Sequence, residues 1–130
     1  MRLAIAFLFF GLILLSSNQA EARQSVTFNV NMKPQLEDST FVPGRDQLQI
    51  VGNIPPINSL RPYYLIDSEP IDSVYSVTIN FPARFRNQTI SYNFEMTANY
   101  RKYTEVMERN VRLLYNEVSL DALYFNAFAW

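Results

Sequence analysis

Ser25-Val26-Thr27-Phe28-Asn29-Val30-Asn31-Met32 decides the fold of this chain. Apolar and polar residues alternate through all eight positions, which places Val26, Phe28, Val30 and Met32 on one face of a strand. A strand with one dry and one wet side belongs to a sheet covered on a single face, as in antiparallel sandwiches. Downstream, Gln47 to Val51 reads as a second strand and Tyr63 to Ile66 as a short third. Ser73 to Phe81 is a fourth, stopped by Pro82, and Thr89 to Met96 a fifth, with Ile90, Tyr92, Phe94 and Met96 inward. Val111 to Leu114 and Leu123 to Phe128 supply the last two. The segment with Pro34, Pro43 and Gly44 reads as a polar loop. The only helical candidate is Lys102 to Leu114, whose apolar spacing fits a helix poorly. About seven short strands separated by turn residues predict an all-β, immunoglobulin-like antiparallel β-sandwich.

Composition agrees. Ten Phe and eight Tyr stand against three Gly, and aromatic and β-branched residues favour strands. The N-terminus has Arg2 followed by an apolar run from Leu3 to Leu15, a polar stretch, and Ala20-Glu21-Ala22, which fits a signal-peptidase site. The apolar run is shorter than the roughly 20 residues a spanning helix needs. Residues 1–22 are therefore expected to be a signal peptide and 23–130 a single domain, secreted or periplasmic, with no membrane attachment after cleavage. The chain has no Cys, so no disulfide supports the fold, and with no His either the usual zinc and copper ligands are missing. A net charge of −1 gives no electrostatic footprint for nucleic acid.

The corner Ile50-Val51-Gly52-Asn53-Ile54-Pro55 carries a resemblance, together with the opening V-x-F-x-V-x-M strand and with Phe41, Pro43 and Asp46 in an F-x-P-x-x-D loop. Ser91 to Phe94 stands in the place of an E-Y-K-F stretch, and Tyr103 to Arg109 in that of W-E-x-x-x-N-R. In this order and spacing, residues 23–130 resemble starch-binding modules of carbohydrate-binding family 20, in the form found in secreted bacterial proteins.

The resemblance implies a non-catalytic module whose partner is an α-glucan polysaccharide, bound by two aromatic platforms and a few polar groups. Leu60 stands where the family has the first platform Trp, and Tyr103 matches the second. Asn93 replaces a Lys, and Glu108 replaces an Asn. Sugar binding is thus expected to be weak or altered, through a patch centred on Tyr103 with Tyr100, Tyr63, Tyr64, Asn93 and Glu108. The alternative is a protein-interaction or structural sandwich that has lost sugar binding and contacts another extracytoplasmic protein, with Trp130 as one candidate contact.

Three further motifs lead elsewhere. Asp67-Ser68-Glu69-Pro70-Ile71-Asp72 has oxygen ligands but neither the glycine nor the ligand count of a calcium loop, so it reads as a turn stabilised by Asp67 and Asp72. Asn87-Gln88-Thr89 is a sequon that matters only in a eukaryotic secretory pathway. Glu95, Glu105 and Glu108 read as surface glutamates rather than a catalytic carboxylate pair. Without His or Cys, nucleophile–base pairs of the common kinds are also excluded. No enzyme activity, metal or cofactor is expected.

Overall fold

A computed structural model describes residues 24–127. The expected signal peptide, the start of the mature chain and Trp130 lie outside them. Among the described residues, nine strands form two packed sheets: β1 (Gln24–Asn31), β2 (Gln47–Gly52), β3 (Tyr63–Leu65), β4 (Val74–Phe81), β5 (Thr89–Ala98), β6 (Arg101–Thr104), β7 (Arg109–Arg112), β8 (Glu117–Ser119) and β9 (Leu123–Tyr124). One sheet runs β4-β1-β8, with β9 also on β1. The other runs β3-β2-β5-β6, with β7 on the far end of β5. The architecture is an immunoglobulin-like β-sandwich.

The opening strand behaves as its alternation requires. Val26, Phe28, Val30 and Met32 are wholly buried. Phe28 meets Tyr92 of the opposite sheet edge-to-face, with ring centroids 4.8 Å apart, and Phe81 of its own sheet at 6.2 Å. Such pairings add about 0.5–1.5 kcal/mol each beyond area burial. Burial also pushes the Tyr92 phenol up to about 12, so it is neutral at ordinary pH.

Three expectations need correction. The helical candidate Lys102 to Leu114 is two strands and a loop: β6 pairs β5 with Met96 opposite Tyr103, and β7 pairs β5 with Tyr92 opposite Arg109. Pairing to an already formed strand supplies backbone partners that an isolated segment with poor helical spacing cannot find. The polar loop after β1 contains a short helix, α1 (Lys33–Glu37), started by Pro34 in its first turn and by Asn31 Oδ1 accepting the Lys33 N–H. The sandwich is also not purely antiparallel, because β1 pairs in parallel with both β8 and β9.

Asp46 ties the loop before β2 to the β5–β6 hairpin. Its carboxylate accepts the Val42 N–H at 2.7 Å, the Asn99 N–H at 3.1 Å and two bonds from the Arg45 guanidinium. The hydrogen bonds from Arg45, helped by the two backbone donors, hold the carboxyl well below the usual range. A carboxyl with a lowered folded-state pKa contributes stability in full above its unfolded value near 3.9, and loses it as pH falls through the folded value. Urea midpoints are therefore expected to fall steeply below about pH 4. In Asp46→Asn that acid slope should be visibly shallower. Equal slopes in both proteins would show that other carboxylates set the acid limit.

Candidate functional site

The corner after β2 is built to project its tip. Gly52 N–H donates to Ile57 O at 3.0 Å, Asn53 N–H to Ser91 O at 3.1 Å, and Ser91 N–H back to Asn53 Oδ1 at 3.0 Å. Ile54 and Ile57 are buried beneath the loop. Gly52 is required by close approach, since a Cβ there would meet the Ile57 side chain and come within 2.9 Å of Ser91 O. With its base fixed in this way, the loop holds Leu60 wholly in solvent.

Leu60 and Arg61 form one wall of a groove of about 550 Å³ on the outer face of the five-stranded sheet. Register defines the floor. Tyr64 on β3 pairs Gln49 on β2, which pairs Glu95 on β5, which pairs Thr104 on β6, so all four share that outer face. Glu95 is only 8% exposed. It is bracketed by Gln49 Nε2, by the Thr104 hydroxyl at 2.7 Å and by Lys102 Nζ at 3.6 Å. Tyr64 is 43% exposed and presents ring surface beside this polar row. Gln47, Thr97 and Lys102 also line it, with Val51, Ser59 and Pro62 toward the loop. A part-exposed aromatic ring next to amides, a hydroxyl and a neutralised ion pair is chemistry suited to a polar ligand with apolar faces.

The sequence-derived patch is divided by the fold. Tyr103 shares a row with buried Met96, Leu48 and Leu65, which is the inner face of the sheet. It remains 44% exposed because β6 is an edge strand, and it sits beside Phe125, Thr40 and Val106. Tyr64 is on the opposite face. Tyr63 is half-buried, paired with Ile50 in a core-facing row, and has the Arg61 guanidinium over its ring at 6.0 Å. Tyr100 is almost fully exposed at the β5–β6 hairpin tip, where Asn99 and Tyr100 both have positive φ (52° and 63°), as a two-residue type I′ turn requires. Asn93 spends its amide N–H groups on the Met107 and Glu105 carbonyls, at 2.8 and 3.4 Å. Glu108 is exposed in the loop between β6 and β7.

Reading Glu95 and Glu105 as surface residues was wrong, since both are buried. Glu105 is 4% exposed and its carboxylate faces the Arg109 guanidinium. Gln49, Glu95, Thr104 and Lys102 were absent from the expected patch. Strand alternation alone would have exposed two of them, since Gln49 lies between inward Leu48 and Ile50 and Glu95 between Phe94 and Met96, whereas Lys102 and Thr104 lie on a strand that no apolar alternation marks. The Asp67–Asp72 segment is the turn expected of it, with Asp67 accepting the Ser73 and Asp72 N–H groups and Asp72 accepting that of Val74.

No family model matches the chain, and no curated protein matches it in sequence. Among solved structures the chain is similar to a glucoamylase from Hormoconis resinae, with a TM-score of 0.62 and 18% identity. The match covers 86% of this chain and 19% of the glucoamylase, so the protein spans about a fifth of that enzyme's length. At this identity the likeness is one of fold.

Proposed function

We propose that this chain is an exported, non-catalytic carbohydrate-binding module, its residues 1–22 removed as a signal peptide, and that it takes an α-glucan of the starch or glycogen type. The observation that carries the reading is the outer-face groove, where Tyr64 stands beside Gln49, Glu95 and Lys102 under the projecting Leu60–Arg61 loop. The order of family-20 motifs and the shared fold with part of a glucoamylase support it. Sugar rings stack their apolar faces on Tyr64, while Gln47, Gln49 and Lys102 orient their hydroxyls. Leu60 offers an edge in place of a platform, which makes the binding weak. Glucose polymers carry no charge, in keeping with a floor whose carboxylate is already matched by Lys102.

Native affinity electrophoresis in gels with soluble starch or glycogen tests this. Retardation of the wild type is expected, abolished in Tyr64→Ala and largely kept in Tyr103→Ala. Loss confined to Tyr103→Ala would move the site to the inner-face edge, and no retardation at high polysaccharide would refute α-glucan binding.

A second reading rests on the β6 edge. β6 has no strand on its outer side among the described residues, and Val106 and Met107 beside it are 81% and 58% exposed. Such an edge with exposed apolar residues is a surface for another extracytoplasmic protein.

A further inference from the structure

The groove adjoins a second hollow of different character. About 360 Å³ in volume, it shares Tyr64 and Gln47 with the groove and is otherwise walled chiefly by Phe41, Leu48, Leu65, Ile66 and Tyr75. Phe41, Leu48 and Leu65 are buried and form the floor, while Ile66 is 63% exposed and forms a lip. The Phe41 and Tyr75 rings brace one another edge-to-face at 5.5 Å. The two carboxylates that border the hollow face inward commitments. Asp46 is engaged by Val42, Asn99 and Arg45, and Asp67 by Ser73 and Asp72. These commitments leave the two carboxylates poorly placed to serve the hydroxyls of a further sugar ring. A concave apolar site of this size matches the lower range of small-molecule pockets.

Resting on the glycan reading of the groove, we propose that this hollow takes the apolar aglycone of a glycoside whose sugar rings lie in the groove. The ligand class is then an alkyl glycoside, with Tyr64 as the wall between its polar and apolar halves. The continuity of the two hollows through Tyr64 and Gln47 sets the sugar-to-aglycone junction at Tyr64.

Calorimetric titration of the purified protein with methyl maltoside and octyl maltoside, the latter below its micelle-forming concentration, tests this. Each methylene fully withdrawn from water tightens binding by about fourfold. The hollow is open on one side, so octyl maltoside is expected to bind at least about tenfold more tightly than methyl maltoside. Ile66→Ser, which removes only the exposed lip, should erase most of that gain and leave methyl maltoside unaffected. Thermal melting of the variant confirms that the fold is retained. Equal affinities for the two glycosides, or a gain that survives Ile66→Ser, would overturn the proposal. Methyl maltoside binding with no octyl gain leaves the groove reading intact and removes the aglycone site. Octyl maltoside binding that depends on Ile66, with no methyl maltoside binding, would keep the hollow as an apolar site but overturn the groove reading and with it the aglycone role. Silence from both ligands overturns both.

Discussion

Glu105→Ala is expected to destabilise the protein by about 3–5 kcal/mol, the cost of breaking a buried, hydrogen-bonded ion pair. Glu105 Oε1 accepts the Phe94 N–H at 3.0 Å and Arg109 Nε at 2.8 Å. Oε2 accepts Arg109 Nη2 at 2.6 Å and the Asn126 N–H at 2.8 Å. One carboxylate thus joins β5, the β6–β7 loop and the segment after β9. Its truncation leaves the Arg109 side chain, only 11% exposed, without its carboxylate, and leaves two backbone donors unmet. Arg109 also packs over the Phe94 ring at 5.1 Å and donates to Tyr124 O, so the loss spreads to the closing segment. Small domains have about 5–15 kcal/mol in total, so this change removes a large share. Urea unfolding measures it directly. A loss under about 1 kcal/mol would mean that the pair contributes like an exposed one.

Leu60→Trp is expected to increase α-glucan affinity about tenfold, which is about 1.4 kcal/mol of added stacking and apolar contact. The position packs against nothing, being wholly exposed, so the larger side chain meets no steric objection. The loop beneath it is already held by Gly52, Asn53 and Ser91, which limits the ordering cost of using it. Titration calorimetry with a maltooligosaccharide compares the two proteins. An unchanged affinity would show that Leu60 projects away from the bound sugar.

The sheets were legible wherever burial imposed strict alternation. Val26 to Met32 and Ile90 to Met96 give their inward faces directly, because a one-residue slip would turn every apolar side chain to solvent. β6 and β8 were not legible. The Arg101–Thr104 strand has all four residues exposed, so no apolar period marks it, and its existence depends on pairing with β5. Glu105 and Arg109 stand four apart, a helical spacing, yet they meet across a loop.

The candidate site was half legible for the same reason. The corner and Tyr64 could be named from motif and alternation. Tyr103 was grouped with Tyr64 because motif order carries no information about faces. Register decides that, and it puts Tyr103 level with Met96 and Tyr64 level with Gln49. The buried roles of Glu95 and Glu105 arise from partners that come together only through β5 pairing and loop closure.

Backbone amide chemical-shift mapping during titration with maltoheptaose tests the central claim most directly. Saturable shifts centred on Gln49, Leu60, Arg61, Tyr64 and Lys102 are the predicted result, with Tyr103 and Asn126 unaffected. Shifts centred on Tyr103 and Asn126 with none at Gln49 or Tyr64, or no shifts at all, would contradict it.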